Sequence, residues 1–427
     1  MGSLSLNSDK CIRLSVCLLI FYANFYAIII KMMSARSIEI ILAISLIIGL
    51  IPFLYSKARV YYKHKTLILF WVLFIAEALF NRNQDYKHGN NYLFLRAIFA
   101  LSMVLFSQYG YLWPKKSINF LYKTEFVHVL ATYFFLFIPV LYKIMINIYG
   151  RAAIGTNNGA MGYRAGISDH YSQNGTYISF AFLALASFWL YSVTNKKKLQ
   201  SHYLFLLGAT FISLILTTKR AHFLFCVLAI LIVYFVVNPG KTSGKLFKLF
   251  LAFVFLMGIL YVLSFVFEPI NNLLIRFSTV GEDSQSLSRI RMWKLAWGLF
   301  KGHPLIGIGW GGFKYEYAAK LYQSWQPATQ KFLNAHNTYV QVLCETGIIG
   351  FFIYIYIAFN ALMTTIKGVR ACRDRDESVV IVLYMSLLCQ VFVLLYNLTG
   401  NTLYDHTVFF YAFSVATGLA VCRLEKV

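Results

Sequence analysis

Long apolar runs separated by short polar loops repeat along the whole chain. A helix needs about 20 apolar residues to cross the hydrocarbon core of a bilayer, so the pattern predicts an all-α, polytopic membrane protein of about twelve transmembrane helices. The predicted spans cover 11–30, 38–55, 66–80, 91–113, 125–147, 176–194, 203–217, 222–238, 249–267, 348–366, 379–396 and 406–421.

One polar stretch, 268–347, is much longer than the other loops. Apolar residues recur at helical spacing near 286–301 and 312–325, and Pro and Gly interrupt the chain between them, which predicts two amphipathic helices. The chain then divides into 1–267 with spans one to nine, 268–347 as the helical loop, and 348–427 with spans ten to twelve.

Composition and charge agree with a membrane location. Hydrophobic residues make up 59% of the chain and charged residues 13%, whereas soluble proteins carry about 25% charged residues. The net charge of +23 is spread over short loops, which indicates contact with membrane lipid headgroups and argues against nucleic acid as a partner. Seven cysteines form no CxxC metal motif.

Basic residues concentrate on one side of the predicted membrane. Clusters of Lys and Arg fall at 57–65, 115–123, 196–198, 241–248 and 367–375. The positive-inside rule therefore places these loops and both termini in the cytoplasm. The two largest polar loops then lie on the outer side.

Arg220 lies between two apolar runs on the side where basic residues are scarce. An arginine at the membrane edge is costly unless it reaches the headgroups or is paired, and guanidinium binds phosphate oxygens bidentately. Arg220 is therefore either a helix-end arginine that reaches the headgroups or an anion clamp, with Lys219 as a further candidate. Arg164, in the outer loop 148–175, would either bind sugar hydroxyls or be only a solvent-exposed residue of a turn.

Arg289 and Arg291 lie at the start of the first amphipathic helix of the long loop. A helix N-terminus with nearby arginines forms an anion site, and either arginine could be the clamp. The alternative is a pair of solvated surface charges.

His336 stands just before the tenth predicted span. If it lies on a helix, it shares a face with Tyr339 and Leu343. A neutral histidine is a competent general base near neutral pH, although an isolated histidine is often structural. No outer loop holds the His, Asp and Glu cluster that a metal needs, so neither a metal nor a cofactor is expected. The glycines at 307–312 lack the Lys of a P-loop, and we expect a tight turn there.

These motifs resemble the O-antigen ligase and polymerase superfamily of bacterial polysaccharide assembly. Their order and the long outer loop also match, over roughly residues 160–400. The matching segments are Arg220-Ala221-His222-Phe223-Leu224 (the family's Arg-x-x-x-Leu), Ser288-Arg289 ahead of Trp293, His303-Pro304-Leu305-Ile306-Gly307-Ile308-Gly309, and His336-Asn337-Thr338-Tyr339 continuing to Glu345-Thr346-Gly347.

The resemblance implies a metal-independent glycosyltransferase in the bacterial inner membrane, with its site and its long helical loop on the periplasmic face. The donor would be a glycan on undecaprenyl pyrophosphate and the acceptor a sugar hydroxyl of the lipid A–core. Arg220 and Arg289 would hold the pyrophosphate, and His336 would deprotonate or orient the acceptor, with inversion at the anomeric carbon. The candidate substrate-binding residues are Arg291, Arg164, Asn337, Tyr339 and Lys219.

Two alternatives to the ligase remain. An O-antigen polymerase would use the same donor with a second lipid-linked glycan as acceptor, and the single long loop before the tenth span favours the ligase. A twelve-helix lipid or solute transporter would show internal repeats and polar residues at mid-membrane, whereas the polar residues here concentrate at the outer edge. The oligomeric state stays open.

Overall fold

Helices form all the regular structure in the described part of the chain, so the prediction of an all-α protein is confirmed there. The computed structural model describes residues 2–55, 65–80, 100–108, 112–150, 162–238, 242–279, 284–324 and 333–424. The helices are α1 (Gly2–Asn24), α2 (Tyr26–Met32), α3 (Ala35–Tyr55), α4 (Lys65–Phe80), α5 (Leu112–Phe137), α6 (Lys143–Tyr149), α7 (Tyr171–Thr194), α8 (Ser201–Leu216), α9 (Arg220–Val237), α10 (Thr242–Ser264), α11 (Glu268–Ser278), α12 (Ser284–Gly302), α13 (Phe313–Ser324), α14 (Thr338–Ala371), α15 (Glu377–Tyr396) and α16 (Val408–Leu424).

Five of the described helices are long and apolar enough to cross a membrane, and counting each of two bent helix pairs as one span raises the number to seven. The five are α3, α7, α9, α14 and α15, and the bent pairs are α1 with α2 (83°) and α10 with α11 (118°). Helices α4, α8 and α16 are apolar but shorter. The chain is therefore a membrane protein, while the predicted count of about twelve spans, which rests on the length of apolar runs, is not confirmed.

Three predicted spans differ from the structure or lie partly outside it. The run 11–30 is broken at Phe25, where α1 and α2 meet at an angle of 83°. Residues 91–99 and 109–111 of the run 91–113 lie outside the described residues. The run 125–147 is not one helix, because α5 ends at Phe137 and a 3₁₀ turn, Pro139–Tyr142, separates it from α6. Proline has no backbone N–H and its ring clashes with the preceding turn, so a helix rarely continues through it.

Helices α7 and α15 form the buried centre of the bundle. Helix α7 packs against α5, α8, α9 and α15, and α15 also packs against α9, α14 and α16. Ile178 and Leu183 of α7 and Leu388 and Phe392 of α15 are fully buried. Because these helices share one core, their ends are held close together, and the polar residues at one end meet.

Within the described residues of the long polar stretch 268–347, helices form at the two predicted places. Helices α12 and α13 match the predicted helices near 286–301 and 312–325, and the glycines at 307–312 lie in the connection between them. Helix α14 begins at Thr338, but Gly347 has non-helical backbone (φ +63°, ψ −167°) and kinks it. The turns before the kink belong to this stretch, and the helix after the kink matches the span predicted from 348.

The connection between α12 and α13 packs closely on α14. The N–H of Gly309 donates to the carbonyl of Glu345 (2.9 Å). A Cβ on Gly307 would lie 2.3 Å from the Glu345 carbonyl carbon, and a Cβ on Gly347 would lie 2.3 Å from the Leu305 carbonyl carbon. Both glycines also have a positive φ, +70° and +63°, so no other residue fits at either position without strain.

Candidate active site

A polar cavity of about 280 Å³ lies where the N-terminal ends of α7, α9 and α14 meet the C-terminal end of α15. Helix α12 and the segment that leads into α16 complete its wall. Segments far apart in the sequence therefore share one pocket. The lining side chains with acid, base or charged groups are His170, Lys219, His222, Arg289, His336, Tyr396 and Asp405.

The cations Lys219 and Arg289, which the sequence predicts as site residues, line this cavity. Lys219 is the N-cap residue of α9, and its ammonium nitrogen lies 3.9 Å from the centre of the Tyr171 ring. Thr218, immediately before it, has a φ of +53°. This conformation is rare for a β-branched residue, and it lets the chain reverse between α8 and α9 so that Lys219 points to the pocket.

Arg220 lies beside the cavity rather than among its lining residues. It begins α9, and its Nη2 donates to the hydroxyl of Ser286 (3.2 Å). Ser286 belongs to the first turn of α12, the helix that carries Arg289. Arg220 therefore connects the α8–α9 turn to α12, and its role as a pyrophosphate ligand stays a prediction.

His336 lines the cavity but does not lie on a helix, which corrects the predicted shared helical face. The helix begins at Thr338, because Asn337 caps it and breaks the helical backbone. His336 itself has a φ of +53°. Left-handed backbone at a residue other than glycine is costly and recurs at functional sites. Here it turns the imidazole away from the axis of α14 and into the pocket.

The imidazole of His336 is neutral at neutral pH. Burial, together with the positive charges of Arg289 and Lys219, lowers its pKa from 6.5 to about 4. Neither ring nitrogen is hydrogen-bonded to any described residue. A neutral, unpaired imidazole beside two cations can accept a proton from a bound hydroxyl group.

The other predicted residues of the His336 motif have structural contacts. The Asn337 side chain accepts a hydrogen bond from the N–H of Val340 (3.1 Å), and the Tyr339 hydroxyl donates to the carbonyl of Leu394 (2.7 Å). Neither residue is among those that line the cavity. No contact tests whether they bind substrate. Asn337 caps α14, and Tyr339 fixes the start of α14 against α15.

Arg291 and Arg164 also lie away from the cavity lining. Arg291 is exposed on α12, since two residues along a helix rotate a side chain to nearly the opposite face. Arg164 ends a short 3₁₀ turn, and its carbonyl accepts from the Asn174 side chain (2.9 Å). Of the two arginines proposed as the clamp, the cavity contains Arg289.

A hydrogen-bond network holds the segment that carries His336. The Gln341 side chain accepts from the N–H of Ala335 (2.9 Å) and donates to Asn334 Oδ1 and to Glu345 Oε1, each at 3.0 Å. The Glu345 carboxylate also accepts from the backbone N–H groups at 311 (2.7 Å) and 313 (3.0 Å), at the start of α13. Trp293 Nε1 donates to the carbonyl of Ala335 (2.9 Å). The residues before His336 are thus fixed by α12, α13 and α14 together.

His170 and Asp405 also line the cavity, but the sequence patterns do not predict them as site residues. His170 precedes α7 in the loop 148–175, and Asp405 lies between α15 and α16, where its Oδ1 accepts from the N–H of Thr407 (2.8 Å). A signal existed for Asp405, because 397–407 is a polar run between two apolar spans on the predicted outer side. His170 had no distinguishing neighbours, and only the fold brings it to His336.

The cavity has the electrostatic character of an anion site. Helices α7, α9 and α14 present their N-terminal ends to it, and each such end carries a partial positive charge. Lys219 and Arg289 add two full positive charges, which exceed the one negative charge of Asp405 and the partial negative charge at the C-terminal end of α15. A bound diphosphate would meet both contributions at once. The fold and cavity define a helical membrane protein with a cationic pocket beside a neutral histidine.

Comparisons with known proteins agree with this description. Residues 203–355 match the O-antigen ligase family, and that segment contains Arg220, Arg289 and His336. The chain is also 27% identical over 105 residues to the exopolysaccharide production protein ExoQ of Rhizobium meliloti (strain 1021), which covers 24% of each protein. Both findings support the O-antigen ligase and polymerase superfamily, and with it a glycan-transferring enzyme of ligase or polymerase type.

Proposed function

We propose that the protein is an O-antigen ligase that transfers a glycan from undecaprenyl pyrophosphate to a sugar hydroxyl of the lipid A–core. One observation carries the proposal: Lys219 and Arg289 share a cavity with a neutral His336 at the meeting point of three helix N-termini. The cations match the charge of a lipid diphosphate, and the imidazole matches the proton of an acceptor hydroxyl.

The reaction follows from these roles. The acceptor oxygen attacks the anomeric carbon, and the bond from that carbon to the diphosphate oxygen breaks, with inversion. The electron pair of the broken bond stays on the diphosphate, where Lys219 and Arg289 stabilise it. The hydroxyl proton passes to His336. Diphosphate is already a good leaving group, so fixed cations and positioning of two membrane-tethered substrates supply the acceleration.

The site would face the periplasm from the inner membrane, with both termini in the cytoplasm. The positive-inside rule supports this orientation, since the basic clusters lie at the opposite ends of the spans. Helices α7 and α9 both begin at the cavity, and Lys196, Lys197 and Lys198 follow the far end of α7. The donor glycan and the lipid A–core would both be present on that outer face.

A polymerase is the second candidate. The relative's name records exopolysaccharide production, a product that need not be attached to lipid A. In that case the cavity would bind the same donor, and the attacking hydroxyl would belong to a second lipid-linked glycan.

Reconstitution tests the proposal. Purified full-length protein is mixed with undecaprenyl-pyrophosphate-linked glycan and lipid A–core, with EDTA present, and products are separated by gel. Glycosylated lipid A–core is the expected product. Longer lipid-linked glycan without any glycosylated core would establish the polymerase, and unchanged substrates under conditions that retain folded protein would contradict both.

A further inference from the structure

The imidazole of His170 has a fixed tautomer. His170 is the N-cap residue of α7, and its Nδ1 accepts a hydrogen bond from the backbone N–H of Ser172 (3.1 Å). A nitrogen that accepts from an N–H cannot carry a proton itself. The neutral ring must therefore carry its proton on Nε2.

The protonated nitrogen is available to a ligand. His170 lines the cavity that holds Arg289 and His336, and its Nε2 has no hydrogen-bond partner within the part of the chain that the structure describes. The next residue, Tyr171, carries the ammonium of Lys219 above its ring at 3.9 Å. His170 and Lys219 therefore present their donors to the cavity from the same wall.

The ring also stays neutral in this environment. The pKa of His170 is lowered to about 4, first by the loss of hydration beside the protein and then by electrostatic interaction with Lys219 and His336. Protonation would place a hydrogen on Nδ1, directly against the N–H of Ser172. His170 thus offers one N–H donor without a third full positive charge beside Lys219 and Arg289.

We propose that His170 is a substrate-binding residue whose Nε2–H donates a hydrogen bond to an oxygen of the lipid diphosphate. This inference rests on the proposed function, because it takes the donor to be a lipid diphosphate. The two ring nitrogens have separate roles. Nδ1 fixes the ring on the end of α7, and Nε2 holds the ligand.

Substitutions can separate the capping role of Nδ1 from the ligand-binding role of Nε2. In His170→Asn the amide oxygen replaces Nδ1 as the cap, since Asn is a preferred N-cap residue, but no group replaces Nε2. In His170→Ala both are lost. His202→Asn is the matched control, because His202 is exposed near the start of α8 and is not among the cavity lining.

The full-length protein in detergent is assayed for transfer at varied donor concentration, and for inhibition by undecaprenyl diphosphate without glycan. A hydrogen bond to a charged group corresponds to about tenfold or more in affinity. We expect His170→Asn to raise the donor KM and the inhibition constant by about that factor. Its kcat and acceptor KM should stay nearly unchanged, and its unfolding temperature should equal that of the wild type.

Each other outcome is decisive. Wild-type kinetics in His170→Asn, with a loss only in His170→Ala, would make His170 a helix cap and overturn the inference alone, provided that Arg289→Gln still weakens inhibition. A wild-type protein that undecaprenyl diphosphate does not inhibit would overturn the proposed function, and the inference with it.

Discussion

The protonation of His336 depends on its neighbours. Burial and the charges of Arg289 and Lys219 hold the pKa of the imidazole near 4 in the free protein. A base with so low a pKa is weak, whereas general bases work best with a pKa close to the operating pH. A bound diphosphate would cancel the two positive charges, so substrate binding itself would make His336 a stronger base.

This coupling predicts a difference between two pH profiles. The profile of kcat/KM reports the free enzyme and that of kcat the enzyme–substrate complex. His336 is active when deprotonated, so activity falls as pH drops through its pKa. We expect the acid limb of kcat/KM near pH 4, where the pKa of the free protein lies at about 4, and the acid limb of kcat at higher pH. An acid limb of kcat/KM near neutrality would contradict the assignment, with activity recovered on return to pH 7 as the control for unfolding.

His336 also gives a direct prediction. His336→Gln keeps a polar side chain of similar size but accepts no proton, and loss of a general base costs about 10²–10⁴-fold in rate. We expect kcat to fall by such a factor while undecaprenyl diphosphate still inhibits residual activity with a near wild-type constant. A variant with full activity would remove His336 from the chemistry.

Arg289 and Arg291 form a matched pair on one helix. Arg289 lines the cavity and Arg291 is exposed. Loss of a hydrogen-bonded charge partner corresponds to about 10–100-fold in binding. Arg289→Gln should weaken inhibition by undecaprenyl diphosphate by about that much, whereas Arg291→Gln should bind it like the wild type. Equal losses in the two variants would mean that general surface charge, rather than a clamp, attracts the donor.

At the scale of elements, the start of α14 is held by polar contacts and not by apolar packing alone. Gln341 connects the segment before His336 to Glu345, and Glu345 in turn holds the start of α13. A rigid supporting network matters because small displacements of a catalytic group are costly. Gln341 is therefore expected to position His336 without touching substrate.

Gln341→Leu tests that role. The substitution leaves the Ala335 N–H and the Asn334 oxygen without their partner, and each buried unsatisfied group costs about 1–3 kcal/mol. We expect a lower unfolding temperature and a kcat reduced by about tenfold or more, with the donor KM little changed. Thr346→Val is the control, because its hydroxyl donates only to a carbonyl within α14. A Gln341 variant that is less stable but keeps wild-type kcat would assign the network to folding only.

The same elements show how far the sequence predicts the structure. Apolar spacing and the Pro and Gly breaks predict α12, α13 and the turn between them, because these depend on local geometry. The helical position of His336 was mispredicted, because Asn337 caps α14 and the helix begins at Thr338, two residues after His336. His170 and Asp405 reach the cavity only through the packing of α7, α15 and α16, which no local pattern contains.

For the whole molecule, the cavity combines residues from both sides of the long polar stretch. Lys219 precedes that stretch, Arg289 and His336 lie within it, and Asp405 follows two further helices. A pocket of this kind needs all contributing ends on one face of the membrane. The orientation of the chain is therefore a condition for the proposed function as well as a separate prediction.

Labelling of introduced cysteines with a membrane-impermeant maleimide tests the orientation. Arg291→Cys lies on the helix that carries Arg289, and Lys198→Cys lies between α7 and α8 at the opposite ends of the spans; both positions are exposed. The wild type is a suitable background, because five of its seven cysteines are buried. With the periplasm made accessible, Arg291→Cys should react at once and Lys198→Cys only after the inner membrane is opened, because the positive-inside rule holds lysine clusters in the cytoplasm. The reverse order would put the cavity on the cytoplasmic face, away from the proposed acceptor. Reaction of both cysteines before the inner membrane is opened would place the two loops on the same side of the membrane, and the number of spans between them would then be wrong.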